Sequence, residues 1–385
     1  MDKNILEVRE SLKNKIIKDI ISPLEWKNSS LHLLDQRILP HQEVIETFDT
    51  IEGCHKAIKD MVIRGAPCIG LTAIFGMALW VSGQIKKFAN QANQANKANQ
   101  INLDDYNKAA DFLNSARPTA VNLKFEIERT KKIASEMKSE GKNINQLFDR
   151  LVEFGKEEVD LAYDRNFNMA QFAHKELEYI YGSEGKAGEG KILKRPLRLM
   201  THCNTGYLAC GTLGTALGVV SYLNHLGLVD KVWVDETRPY MQGARLTSYE
   251  LQKQKIPHDV VVEGAASYLM QKGLVDAIFV GADRIVKNGD TANKVGTSTL
   301  AIVAKNYGVP FFVVAPLSSF DTNTTSGDRI EIELRDQEEI LSFKGSRVAP
   351  NGVSALNPSF DVTRAGLITA IICENKLYKS GEFKF

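Results

Sequence analysis

From residue 198 onward the chain repeats one pattern: a short apolar run, a polar cluster, then a stretch with helical periodicity. The apolar runs lie at 198–201, 231–235, 258–262, 277–280 and 311–315. They are too short for core helices and are spaced by helix-length segments, which predicts parallel strands joined by right-handed helical crossovers. A doubly wound α/β sheet of this kind collects its ligands beyond the carboxyl ends of its strands. Polar clusters fall at those ends: Asp235-Glu236-Thr237-Arg238-Pro239 with Gln242-Gly243-Ala244-Arg245, and Gly281-Ala282-Asp283-Arg284 with Asn288-Gly289-Asp290 and Asn293-Lys294. Each alone reads as a turn or cap; together they point to one pocket.

The first of these units, Arg198 to Val220, ends its apolar run in Thr201-His202-Cys203-Asn204 and continues into a glycine-rich segment. Read as strand, loop and helix, it makes Asn204, Thr205 and Gly206 the free N–H groups of a helix N-terminus, a phosphate site with Cys203 beside it. A competing reading makes Cys203 a small core residue and Gly206, Gly211, Gly214 and Gly218 a close-packing surface, since the spacing is no dinucleotide fingerprint. His202 and His258 flank this region, and a lone strand histidine is more often a hydrogen-bonded core group, so neither is assigned to chemistry.

The N-terminal half has a different texture. Short strand patterns at 31–37 and 46–48 suggest a small β subdomain, after which helical periodicity takes over from Ile51. Arg64-Gly65-Ala66-Pro67 reads as a loop opening a helix over 68–84, and long helical patterns cover 106–113 and 121–181. The near-triplet Ala-Asn-Gln repeat at 88–101 buries nothing and reads as a surface insertion, while Gly182 to Gly190 is glycine- and charge-rich. The expected organisation is a mostly helical N-terminal domain at 1–181, a linker at 182–195 and a Rossmann-like parallel-sheet domain at 196–385.

Lys and Arg number 48 against 47 Asp and Glu, a formal net charge of +1, which argues against nucleic acid or anionic membrane and for a small ligand. The five cysteines are scattered, with no zinc-site spacing, and suit a reducing compartment; no metal or cofactor is expected. The N-terminus lacks a signal-peptide core and no apolar run approaches the ~20 residues of a membrane span, so a cytoplasmic protein is expected.

Seven ordered motifs are recognisable as a set: Arg64-Gly65-Ala66-Pro67, Arg117-Pro118-Thr119-Ala120-Val121-Asn122-Leu123, Thr201-His202-Cys203-Asn204-Thr205-Gly206, Asp235-Glu236-Thr237-Arg238-Pro239, Gln242-Gly243-Ala244-Arg245-Leu246-Thr247, Gly281-Ala282-Asp283-Arg284-Ile285 and Asn357-Pro358-Ser359-Phe360-Asp361-Val362-Thr363. Together they resemble the S-methyl-5-thioribose-1-phosphate isomerase family of methionine salvage, over nearly the whole chain. That family shares its fold with the regulatory subunits of the eukaryotic translation-initiation exchange factor and with ribose-1,5-bisphosphate isomerase. The resemblance implies that Cys203 and Asp283 are the catalytic pair. It also implies that Arg64, Gly65, Ala66, Arg117, Gln242, Asn293 and Lys294 bind substrate, and that the protein is a homodimer through its C-terminal domain. For the dimer, residues 367–372 are one apolar contributor, or equally a core helix. Non-enzymatic regulatory subunits do not as a rule keep both Cys203 and Asp283. The segment Val262-Glu263-Gly264-Ala265-Ala266 departs from the family pattern where the sugar's far end would lie, which leaves 5-deoxyribose 1-phosphate open beside the methylthio sugar.

A sugar phosphorylated on its anomeric oxygen has no free aldehyde, so aldose–ketose exchange requires ring opening first. That needs an acid, a base and an anion clamp. Arg64, Arg117 and Lys294 suit the clamp, Cys203 the base if its thiolate is stabilised, and Asp283 the acid if burial keeps it protonated. Facing each other across the opened sugar, the pair suits proton abstraction through a cis-phosphoenolate; a Cys203 shut in an apolar pocket would suit hydride migration instead.

Overall fold

The computed structural model describes residues 3–89, 100–118, 120–184, 191–383 and 385. Most of the repeat at 88–101, most of the glycine-rich stretch and Thr119 therefore lie outside the described residues. The chain forms two compact units, one comprising Ile21–Asp164 with Tyr207–Thr212, the other Met1–Ile20, Arg165–Gly206 and Leu213–Phe385.

The first unit opens with an antiparallel sheet of Leu24–Lys27, Ser30–Leu34 and Ile45–Phe48. Its middle strand turns Leu31 and Leu33 inward, both fully buried, as the two-residue period of a strand requires. Helices follow at Ile51–Lys59, Ala66–Ala89, Leu103–Asn114 and Val121–Ser139, and the chain leaves the unit along Ile144–Tyr181. Thr50 and Asn102 start two of them, each side-chain oxygen accepting from backbone N–H groups of the first turn. Phe75, Tyr106, Leu113 and Leu151 fill the core, with Trp26 stacked on Phe75 at 5.2 Å between ring centroids.

Two expectations change here. The helix expected over 68–84 begins at Ala66, because Pro67 falls in the first turn, where its missing N–H costs nothing. At 24 residues and mean hydropathy 1.6 in its most apolar window, Ala66–Ala89 does have the length and composition of a membrane span, against the sequence reading; 72% of that window is buried inside the structure, which accounts for the composition. The continuous pattern over 121–181 is two helices. Gly141 takes a left-handed φ of 70° to end the first, and Asn143 and Gln146 exchange side-chain-to-backbone bonds of 3.0 Å to start the second.

The second unit is built on a seven-stranded sheet, whose strands we number β1 (Leu197–His202), β2 (Val229–Asp235), β3 (His258–Val261), β4 (Ala277–Val280), β5 (Phe311–Val314), β6 (Ala370–Ile372) and β7 (Leu377–Lys379). Their spatial order is β3-β2-β1-β4-β5-β6-β7, parallel throughout except for β7. β4 and β5 are buried at every position, as strands covered on both faces must be. All five expected strands are present, within two residues at either end. The segment at 367–372 is neither helix nor surface: a turn at Ala365–Leu367 leads into β6, fully buried between β5 and β7. Its β-branched run Ile371-Ile372 pairs with Val313 and Val314, so tertiary pairing wins over the local helical pattern. A smaller sheet of Arg284–Val286, Thr291–Lys294, Phe320–Asp321 and Phe360–Thr363 carries three of the candidate site segments.

Candidate active site

The strand order reverses direction between β1 and β4, the two central neighbours from which the chain winds outward on either side. In a doubly wound sheet that switch point opens a crevice at the carboxyl ends. β1 ends at His202 and delivers Cys203; β4 ends at Val280 and delivers Gly281 to Asp283. The two loops touch: a Cβ on Gly281 would collide with the side chain of Thr205, so only glycine lets them meet. Cys203 and Asp283 thus leave adjacent strands at the point where the fold makes its cleft.

Cys203 is 6% exposed and adopts φ 61°, a left-handed conformation uncommon for a residue with a side chain. Its carbonyl accepts from Thr247 Oγ1 at 2.6 Å, and Thr247 also meets Asn204 Nδ2 at 3.2 Å. Asn204 Nδ2 donates further to the buried Glu250 carboxylate at 2.8 Å. The helix expected to start at Asn204–Gly206 is a single turn there. A four-residue turn, Tyr207–Cys210, comes first, and the crossover helix proper is Ala216–His225. The glycines are the cause. Gly214, at φ 94°, lies so close to Gly206 that a Cβ would approach its Cα to 2.6 Å, and Thr215 N donates back to Thr205 O at 2.9 Å.

Asp283 is half-buried, its N–H bonded to Ala292 O at 3.0 Å, while the neighbouring Arg284 pairs with Asp321. Asn293 and Lys294 follow on the adjacent strand; Asn293 Nδ2 donates to Thr297 Oγ1 at 3.0 Å, and Lys294 Nζ donates to Ser359 O at 2.8 Å over the Phe360 ring. Gln242 is 4% exposed, and its Oε1 has no hydrogen-bond partner among the described residues. A buried acceptor in that state calls for an explanation, and a bound polar group is one. Asn288-Gly289-Asp290, read from sequence as part of the pocket, is structural instead: Asp290 accepts from Gly327 N, Ala365 N and Arg364.

Arg64, Gly65 and Ala66 belong to the first unit. Arg64 is 7% exposed and its Nε donates to Gln36 Oε1 at 3.2 Å; Gln36 Nε2 in turn holds Leu208 O at 2.8 Å. Gly65, at φ 92°, would bring a Cβ to 2.5 Å from Ala209 O, so no other residue fits. Arg117 is half-buried in the turn after Leu103–Asn114.

Sequence reasoning passed over His202. Its ring is fully buried, with Nδ1 2.7 Å from Asp235 Oδ2 and Nε2 2.9 Å from Val295 O. Asp235 is its register partner across β1 and β2, a signal visible once the strands are aligned. Against the cost of burial, the Asp235 hydrogen bond and charge, the Val295 carbonyl and Glu263 raise the His202 pKa; burial raises that of Asp235, with His202 opposing. Among the described residues, no cluster of three His, Cys, Asp or Glu side chains is arranged to hold a metal ion.

Residues 62–378 match the model of the Initiation factor 2 subunit family. The chain belongs to that family. Its relatives include proteins of two descriptions. It is 42% identical over 359 residues to the methylthioribose-1-phosphate isomerase of Aquifex aeolicus (strain VF5), covering 93% of this chain and 69% of that one. The crystal structure of 5-methylthioribose 1-phosphate isomerase from Pyrococcus horikoshii OT3 superposes with TM-score 0.81 at 36% identity, covering 97% and 96%. The translation initiation factor eIF-2B subunit delta from A. fulgidus, of the same family fold, gives 0.75 at 32%, covering 94% and 97%.

Proposed function

We propose that this chain is an aldose–ketose isomerase of methionine salvage, converting S-methyl-5-thio-α-D-ribose 1-phosphate to S-methyl-5-thio-D-ribulose 1-phosphate. The observation that carries the reading is the pair Cys203 and Asp283 at the ends of β1 and β4, flanking the switch point. The unpartnered Gln242 Oε1 and the half-buried Lys294 ammonium support a polar, anionic ligand. Relatives named for this isomerase, at about the same identity over most of the chain, support the substrate.

In this reading Arg64, Arg117 and Lys294 bind the phosphate, with Gly65, Ala66, Gln242, Asn293 and the Asn204-Thr205-Gly206 loop around the sugar. Asp283 gives its proton to the ring oxygen as Cys203 takes the C2 proton, and the C1–ring oxygen bond breaks to leave a phosphoenol. The Asp283 carboxylate then takes the O2 proton while the Cys203 thiol returns a proton to C1, and C2 becomes the ketone carbonyl. Burial of Cys203 favours a second route, because a shielded thiol resists ionisation. There Asp283 gives its proton to the ring oxygen, the C1–ring oxygen bond breaks to leave a cationic C1, C2 passes hydride to C1, and the Asp283 carboxylate takes the O2 proton as C2 becomes the ketone carbonyl.

Purified protein offered the methylthio sugar phosphate, 5-deoxyribose 1-phosphate and ribose 1,5-bisphosphate tests the substrate; preference for the bisphosphate overturns it. Cys203→Ser and Asp283→Asn are each expected to lower kcat by roughly 10²–10⁴-fold or more, and near-normal turnover removes that residue from the mechanism. A C2 deuterium fully retained at equilibrium rejects the phosphoenol route. The protein is also proposed to be a cytoplasmic homodimer, which cell fractionation and sedimentation at micromolar concentration test; a monomer throughout rejects the dimer.

A further inference from the structure

We infer that His202 is a positioning residue for this reaction: held between Asp235 and the Val295 carbonyl, it ties the end of β1, where Cys203 stands, to the backbone directly after Asn293 and Lys294. The inference rests on the isomerase reading and adds a residue to which that reading gives no part.

Both ring nitrogens of His202 face acceptors, at 2.7 Å to the Asp235 carboxylate and 2.9 Å to the Val295 carbonyl. A carbonyl never donates, so Nε2 carries hydrogen, and a further proton must lie between Nδ1 and Oδ2. The dyad therefore bridges two strands only while it keeps that proton. The charged groups around it are Asp235 at the end of β2, Glu263 after β3 and Asp361 on Phe360–Thr363, all acidic; Lys294 acts on Asp361. Such surroundings favour keeping the proton.

The far end of the bridge is itself fixed. Val295 O accepts a second hydrogen bond, from Thr237 Oγ1 at 3.2 Å. Val295 N donates to Ser359 O, the same carbonyl that receives Lys294 Nζ. Gly296 N and Ser298 N bond to Asp361. Gly296, at φ 101°, lies against the His202 ring, where a Cβ would come to 2.8 Å from Cε1. At the near end, the left-handed Cys203 follows His202 directly in the chain, and the Thr247 hydroxyl holds its carbonyl. A histidine that served only the core would affect stability and leave the kinetic constants alone.

Two substitutions separate the arms, because the Asn amide nitrogen stands near ring Nδ1 and the Gln amide nitrogen near ring Nε2. His202→Asn keeps the Asp235 arm and loses Val295, and is expected to raise KM for the sugar phosphate roughly tenfold or more through Lys294, with a smaller change in kcat. His202→Gln keeps the Val295 arm, so KM stays near the parent value while kcat falls as the Cys203 end loosens. Thr237→Val, with His202 intact, should reproduce the KM effect in weaker form. Parent kinetics in both His202 variants, or equal losses without a KM-against-kcat split, overturn the inference; if neither variant folds, an unchanged KM in Thr237→Val does so. A parent protein that turns over none of the sugar phosphates defeats the isomerase reading instead.

Discussion

Gly206 stands where a methyl group has no room. An added Cβ would meet the Glu250 carboxylate and come to 2.6 Å from Leu217 Cδ2, both fixed in buried surroundings. Glu250 already holds Asn204, next to Cys203, so displacing it disturbs the loop that carries the thiol. Gly206→Ala is expected to cost about 1–3 kcal/mol by overpacking, read as a lower urea midpoint at unchanged slope; a midpoint equal to the parent's would show that the loop yields freely. This glycine was legible in the sequence as part of a run, but its purpose was not. The run suggested a helix start, whereas Gly206 and Gly214 serve the close approach of two loop segments, a long-range fact that no local spacing encodes.

Asp361 shows how one side chain sets an element. Its carboxyl group accepts from Gly296 N at 2.8 Å and Ser298 N at 3.0 Å, satisfying the first free donors of the helix Thr297–Tyr307. Asp361→Ala is expected to destabilise by about 1–2 kcal/mol, with hydrogen exchange accelerating first at residues 296–299; uniform exchange along the helix would deny it the cap. The sequence showed the elements of the α/β unit well, since β1 to β5 are short apolar runs between helical stretches. It showed β6 poorly: Ile371 and Ile372 sit in a run whose period suits a helix, and only pairing with β5 decides otherwise. The break at Gly141 was written plainly, as a glycine followed by Asn143-x-x-Gln146, yet a strong apolar period on both sides hid it. Of the site, Cys203 and Asp283 were legible as strand-end residues, and His202 was not, because its meaning depends on its register with Asp235.

Across the whole molecule, buried ionisable groups limit stability from both directions of pH. Asp276, against the cost of burial, is held well below the usual carboxylate range by Arg195, by the Arg198 side chain and by the Arg198 N–H, and Asp290 is lowered by its backbone donors and Arg364. Their contributions are present above the unfolded carboxylate pKa of about 4 and are lost as pH falls below it. His202 is raised, so its contribution is complete below about 6.5 and is lost as pH climbs through its folded value; burial likewise raises Asp235, Glu263 and Asp361, which resist folding once ionised. The melting temperature is therefore expected to peak between these limits, and Asp276→Asn to flatten the acid side alone. An acid limb unchanged in that variant would assign the acid loss to other groups. The fold itself does not choose the activity, since an initiation factor subunit shares it at TM-score 0.75.

Residues 207–212 return the chain to the unit made of Ile21–Asp164 after more than forty intervening positions have been spent elsewhere. Leu208 supplies the carbonyl that Gln36 and Cys68 bond to, and Ala209 the surface that Gly65 presses on. During synthesis, then, the earlier helices wait on the ribosome with these partners still untranslated, and a nascent chain halted at residue 195 exposes the Arg64-Gly65 turn without its seat. Completion of the first unit is timed by the emergence of the thiol-bearing loop of the second, so a truncated product lacking Cys203 also lacks a finished helical unit and is left open to proteases.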